Sequence, residues 1–496
     1  MAGAAVDAKS GEAVSPHAMV KLALESVERL AQVQPLTPVV MFQRACLLEQ
    51  TGRMEEARLQ YLALLEKEPR HARGLNNLGS LLLAAHRRSE ARRIFELAVE
   101  RNPRHLDSRA NLGNLLVKEG ELAAARVQFE AALAVDAEYR PGHAGLSFIL
   151  GELGEPERAA AHRARAFAGH AVVIAPYRGE RPPVTVLELV SVTGGNIRTD
   201  EFLSDRVFQR VIVTTEFYTP ETVLPPHDVV VNAVGDADSA RGALEGALRV
   251  VERLRETAGE AAKPVINEPL AVLRTGRCAV AERLAGIAGV RTARTKRLAK
   301  SEVKAERLGE LGFSFPVLLR AVGFHGGEHF ERVEDGGGLG DAVRLLPGDE
   351  VLAIEFLDAR GVDGKTRKYR VMLIDGRMYP LHLAIAHHWK IHYFSAEMAE
   401  SDENRAEDRR FLEDMAGVLG AGAMVALGEI QRVLGLEYAG IDFGLNAAGE
   451  VLVFEANATM AVVIPDGDAR WDYRRGAVER IYRAVWGMLG KAGNRE

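Results

Sequence analysis

Cysteine is scarce in this chain: its 496 residues include two, Cys46 and Cys278. They fall in different expected domains, so no disulfide framework is implied. Long apolar runs are lacking too. No window approaches 18 uncharged apolar residues, and no membrane span is expected. The opening segment, MAGAAVDAKSGEAV, is small and polar, unlike the apolar core of a secretory signal. A basic excess is also missing. Residues 1–183 carry 24 Lys+Arg against 22 Asp+Glu, and the remainder 39 against 47, which gives no electrostatic reason to expect nucleic acid. These absences point to a cytoplasmic setting. The length exceeds that of one compact domain, and apolar residues, 47% of the chain, suffice for several cores.

What is present is a period. Alanine recurs every 34 residues at Ala57, Ala91, Ala125 and Ala159. Twelve positions earlier stand Ala45, Gly79, Gly113 and Ser147, and large rings fall at Tyr61, Phe95 and Phe129. Leu78, Leu112 and Leu146 keep the same phase, while Pro69 and Pro103 close two units and Ala137 takes that place in the third. Each unit reads as two amphipathic helices that cross closely at the small residues, with proline ending the second. The pattern resembles the tetratricopeptide repeat. Four units are expected over 38–173, capped by a helix at about 17–34, so the solenoid spans 17–175. The resemblance implies a concave surface for a peptide or protein partner, with Asn76, Asn77, Asn111 and Asn114 on the first helices; the alternative is that these asparagines only bond neighbouring helices.

At APYRGERPPV (175–184) three prolines interrupt the pattern, which marks a linker. TVLELVSV, RVIVTTEF, DVVVNAVG and PVIN then read as strands around one helical stretch, an α/β unit over 184–275. Ligands sit at strand ends in such sheets. Gly194, Gly195 and Asn196 are therefore candidate substrate contacts, with a simple chain turn as the alternative.

The segment YAGIDFGLNAAGEVLVFEANATM (438–460) carries the most chemistry. It reads as strand, turn, strand, with Asp442 brought opposite Glu455 and Asn457 two residues beyond on the same side. Three oxygen ligands converge, which suits a hard cation such as magnesium. The spacing resembles the metal-binding hairpin of the ATP-grasp superfamily, including D-alanine–D-alanine ligases and glutathione synthetase-like enzymes.

That resemblance implies an α+β ATP-grasp fold over 276–490, following the α/β pre-ATP-grasp domain, and a role for further residues. Arg320 occupies the place of a phosphate-binding cation, followed by a glycine-bearing lid with His325, Gly326 and Gly327. Arg277 stands where a nucleotide-binding lysine is common. Glu355, Phe356 and Leu357 correspond to the hinge that receives adenine. Lys368 and Arg370, two apart on one strand face, would neutralise ATP phosphates or an acyl phosphate. One departure is Gly440, where amide ligases of the superfamily often have arginine. His382, Trp389 and His392 belong to a stretch of rings and imidazoles expected to face substrate; the two distant cysteines and the lack of an acid cluster argue against zinc there.

The implied activity is an ATP- and magnesium-dependent ligase joining a carboxylate to an amine or thiol through an acyl phosphate, with small-molecule or peptide substrates. Homodimers are common among related ligases. Two other functions fit the same residues: a small-molecule ligase whose repeats serve assembly, and a non-catalytic ATP-binding switch.

Overall fold

The computed structural model describes residues 16–85, 87–179, 181–324, 328–391, 396–465 and 468–493. The chain divides into two compact units, Met1–Pro183 with Asp205–Phe208, and Val184–Ser204 with Gln209–Glu496.

The first unit opens with α1 (Pro16–Val33). Four helix pairs follow: α2 (Pro38–Gln50) with α3 (Met54–Lys67), and α4 (Ala72–Ala84) with α5 (Arg88–Arg101). The others are α6 (Leu106–Lys118) with α7 (Leu122–Val135), and α8 (Arg140–Glu152) with α9 (Pro156–Phe167). These are tetratricopeptide-like helical repeats, and the packing explains the period. Ala57, Ala91, Ala125 and Ala159 are fully buried, as are Tyr61, Phe95 and Phe129. A Cβ on Gly79 would stand 2.6 Å from the Phe95 ring, and one on Gly113 2.7 Å from Phe129. The small residue is the seat for the ring sixteen positions later. Each ring contributes on the order of 1.5–3 kcal/mol by leaving water. The apolar layer runs without a break from Leu24 to Ala159, so neighbouring pairs share one core. A short strand, β1 (Val172–Ile174), follows α9.

The second unit contains three sheets. In the first, the strands β2 (Val184–Val190), β3 (Phe208–Thr214), β4 (Val229–Asn232) and β5 (Val265–Ile266) are ordered β3-β2-β4-β5. β4 runs parallel to β2 and β5. The long helix α10 (Arg241–Ala258) follows β4, and α11 (Pro269–Leu273) and α12 (Arg277–Leu284) follow β5.

Two further sheets frame the cavity described below. Four strands are ordered β7-β10-β8-β9: β7 (Thr295–Ala299), β8 (Val317–Ala321), β9 (Phe330–Val333) and β10 (Glu350–Glu355). α13 (Ala305–Glu310) and α14 (Leu339–Leu345) lie in the connections. Five strands are ordered β12-β11-β13-β14-β6: β6 (Val290–Thr292), β11 (Thr366–Ile374), β12 (Arg377–Ala386), β13 (Tyr438–Leu445) and β14 (Val451–Asn457). Pro380 sits in β12, at the sheet edge, where a missing N–H is tolerated.

α15 (Asp402–Glu413), α16 (Met415–Leu434) and α17 (Arg475–Gly493) complete the unit. By length and composition α16 could cross a membrane, which departs from the expectation that no segment would. Its Leu419, Ala423, Ala426, Leu427, Ile430 and Leu434 are buried against the unit's own core, and Gly420 at φ 80° kinks it. Its exposed positions are Ala416, Gly417, Ala421, Gly422, Val425 and Arg432.

Candidate functional site

A cavity of about 360 Å³ opens between the second and third sheets and the start of α12. Its lining includes Arg277, Arg320, Glu355, Phe356, Leu357, Lys368, Arg370, Trp389, Asp442, Glu455 and Asn457. Eleven residues singled out from sequence thus meet in one place, drawn from segments 180 positions apart.

Its floor is a transverse row. Backbone register puts His382 of β12 opposite Arg370 of β11, Arg370 opposite Asp442 of β13, and Asp442 opposite Glu455 of β14. Register-paired residues share a sheet face, so the four side chains stand in line. Register shifts fall between Arg370 and Val371 and between Asp442 and Phe443. Such bulges re-aim side chains locally.

Asp442 is the centre of charge. Arg370 Nε donates to its Oδ1 at 2.6 Å and Nη2 to its Oδ2 at 2.8 Å. Lys368 Nζ lies 3.1 Å from Oδ2. Burial alone would raise the carboxyl's pKa; Arg370 and Lys368 outweigh it and hold the group well below the usual carboxylate range. Burial likewise works against the Arg370 charge, and Asp442 overcomes it, leaving the guanidinium pKa raised. Glu455 Oε1 accepts from Arg277 Nη2 at 2.8 Å and from Asn457 Nδ2 at 3.0 Å. Asn457 Oδ1 accepts from the Thr459 N–H and hydroxyl, each at 3.0 Å.

Two arginines form the wall above. Arg277 begins α12, its backbone N–H donating to Asp238 Oδ2 at 3.0 Å while its guanidinium reaches Glu455. Arg320 of β8 is 9% exposed. Its Nη2 donates to the Phe324 carbonyl at 2.6 Å, and its Nε has no partner among the described residues. Burial, then the neighbouring Arg277, push its pKa down to about 10. A cation kept positive but short of partners favours an anionic ligand.

The opposite end is aromatic. Trp389 meets Phe330 and Phe356 edge-on, with centroids 5.3 Å and 6.5 Å apart, and Arg332 lies over Phe356 at 4.3 Å. Glu355 accepts from Arg291 Nη2 at 3.2 Å and from the Arg294 N–H at 3.1 Å. Leu357 packs with Ala359 and Leu452. Trp389 thus stands at the ring-lined end of the cavity, beside Phe330 and Phe356.

Some expected contacts lie elsewhere. Gly194, Gly195 and Asn196 do not line the cavity. Both glycines take positive φ, 98° and 73°, and the Asn196 amide braces its own loop through the Ser191 N–H and carbonyl at 2.8 and 2.7 Å. The Gly195 carbonyl accepts from the N–H groups of Gly235 and Asp236, so the loop supports the cavity wall at Asp236 from behind. His382 sits at the buried end of the row, 5% exposed; burial, then Arg370, push its pKa well below the usual imidazole value. His325, Gly326, Gly327 and His392 lie outside the described residues. No group of three His, Cys, Asp or Glu suited to a metal occurs among the described residues. His387 instead pairs with Glu397 at 2.6 Å.

Asp236, Asp238 and Thr366 also line the cavity and were not singled out from sequence. The two acids lie in GDADSA, whose turn signal hides them: Asp236 Oδ1 accepts from the N–H groups of Asp238 and Ser239. On the repeats, Asn111 Nδ2 donates to Asn76 Oδ1 at 2.9 Å and Asn77 Nδ2 to the Tyr61 hydroxyl at 3.1 Å. These asparagines join neighbouring helices, whereas Asn114 is exposed.

No family model and no curated protein matches the chain. Among solved structures, MamA from Desulfovibrio magneticus RS-1 is 20% identical, with a TM-score of 0.27 over 30% of this chain and 83% of that one. A second MamA structure is 13% identical, with a TM-score of 0.27 over 31% and 94%. MamA AMB-1 is 20% identical, with a TM-score of 0.27 over 30% and 88%. The repeat assignment itself stands on the 34-residue period and the four helix pairs.

Proposed function

We propose that the second unit is an ATP-grasp-like ligase that uses ATP and magnesium to join a carboxylate to an amine or thiol, and that the repeats bind a peptide or protein. The observation that carries this reading is the row in which Arg370, Asp442 and Glu455 stand in register, on the floor of a cavity with arginines above and aromatic rings at its far end. The cations suit phosphate oxygens. The rings and the Glu355–Leu357 backbone suit a flat base.

Asp442, Glu455 and Asn457 would hold magnesium, since two carboxylates and an amide oxygen are hard donors. Bound there, it would add positive charge against phosphate oxygens. Arg277, Arg320 and Lys368 would hold the phosphates, and Arg370 would stabilise negative charge developing on a carboxylate–phosphate adduct. On the repeats, Asn114 and the half-exposed Phe148 are available to a partner.

A second reading, a non-catalytic ATP-dependent switch, is favoured by one observation: both Asp442 oxygens are already engaged by Arg370 and Lys368. Calorimetry of ATP with and without magnesium, on the wild type and Glu455→Gln, tests the nucleotide site. Magnesium-dependent binding weakened by the substitution supports it, and no binding under any condition overturns it. Phosphate release that requires an added acid and amine then separates ligase from switch.

A further inference from the structure

Thr366 opens β11 on the cavity wall, two residues before Lys368 and four before Arg370. Alternation along a strand sets all three on one face. At about 3.3 Å per residue the hydroxyl lies roughly 13 Å along the strand from the acid row. Its other neighbours are the residues just after the hinge: Arg360 bridges to Thr366, and the Arg367 N–H donates to the Ala359 carbonyl. Thr366 thus stands between the ring-lined end and the phosphate-facing cations.

Its hydroxyl is conspicuous chemically. Thr366 is 7% exposed, and its Oγ1 is buried with no hydrogen-bond partner among the described residues. A buried hydroxyl without a partner is costly. Several other polar groups of the lining are occupied. Thr275 and Thr295 donate to the carbonyls of Val272 and Ala293. Glu355 accepts from Arg291 and Arg294. Asp358 is bound by Arg360, whose Nε lies 2.9 Å from Oδ1 and 3.0 Å from Oδ2. A ligand group placed between base and phosphates therefore meets Thr366 as an uncommitted donor and acceptor, while the carboxylates that could grip a sugar are held by arginines.

We propose that Thr366 reads a sugar hydroxyl and makes this site selective for ribonucleotides over deoxyribonucleotides. The inference rests on the nucleotide reading above. A site built to bond a hydroxyl rejects the analogue that lacks it, because its own buried group is then left without a partner.

The test is calorimetry of ATP, 2′-deoxy-ATP and 3′-deoxy-ATP with magnesium, on the full chain. The wild type should bind ATP about five- to thirty-fold more tightly than one of the deoxy forms. Thr366→Val, which keeps the branched shape a strand favours, should bring that ratio close to one, and Thr366→Ser should preserve it. Equal binding of all three nucleotides by the wild type overturns the proposal, as does a preference that survives in Thr366→Val. Failure of the wild type to bind any of them overturns the nucleotide site itself, a separate result.

Discussion

Arg370 and Asp442 face each other across two strands and share two hydrogen bonds of 2.6 and 2.8 Å in a buried setting. Two neighbouring methionines explain the glycine at 440. A Cβ there would stand 2.4 Å from Met460 and 3.0 Å from the Met372 sulfur, so an arginine has no room. The Arg370 guanidinium comes from the neighbouring strand, directly opposite the carboxylate.

Removing one member should expose the cost of burying the other. Arg370→Met leaves Asp442 with Lys368 as its cation, and the second unit should lose about 3–5 kcal/mol. Adding Asp442→Asn should return part of that loss, since the stranded charge is then gone. The three tryptophans, Trp389, Trp471 and Trp486, all belong to the second unit. Their fluorescence during urea unfolding therefore reads this unit directly. Equal stability of Arg370→Met and the wild type would show that the pair contributes nothing to the fold.

Arg320 should behave in the opposite way. It is buried, its Nε has no partner among the described residues, and burial presses its pKa down to about 10. Arg320→Met removes a poorly satisfied charge from a packed strand, so the unfolding midpoint should hold or rise. ATP affinity should fall at least about tenfold, the scale of a charge-assisted hydrogen bond. A variant that loses stability and keeps its affinity would mark Arg320 as structural.

The sequence made the repeats legible because one physical demand, a ring seated on a small residue, recurs every 34 positions. The row of the second unit was half legible. Asp442 and Glu455 interrupt apolar strands at a spacing that fits a hairpin, and Lys368 and Arg370 alternate on one face. What pattern could not supply was pairing between strands far apart in sequence. Register sets Arg370 against Asp442, 72 residues away, and turns His382 into the buried end of the row. Two local signals have a structural account. Gly194-Gly195-Asn196 has the composition of a ligand loop, and its Asn196 amide bonds Ser191 while its Gly195 carbonyl accepts from Gly235 and Asp236. Asn76 and Asn111 sit where a partner could bind but bond each other. Thr366 gave no signal, because a threonine opening a strand is ordinary until its hydroxyl is found buried.

A pH experiment can test the packing behind the row. Asp408 of α15 is fully buried. Its Oδ1 accepts from the Leu383 N–H at 2.7 Å and its Oδ2 from the Tyr473 hydroxyl at 2.6 Å. Burial raises its pKa against the opposing pull of Arg474 and these bonds, to about 6 from an ordinary 3.8. Between those values the folded chain keeps a proton that the unfolded chain has lost. The group therefore favours the fold most at the acid end, and this contribution is lost as pH rises through about 6. The span corresponds to about 3 kcal/mol. His382 acts in the other direction. Its folded pKa is well below 6.5, so the unfolded chain takes up a proton first and stability falls as pH drops. Asp408→Asn removes one titration and leaves the other. Measured by tryptophan fluorescence in urea, the stability of wild type minus that of Asp408→Asn should decrease by about 2 kcal/mol from pH 4 to pH 7. A difference constant across that range would mean that Asp408 is already ionised in the folded protein at pH 4 and that Arg474 outweighs its burial.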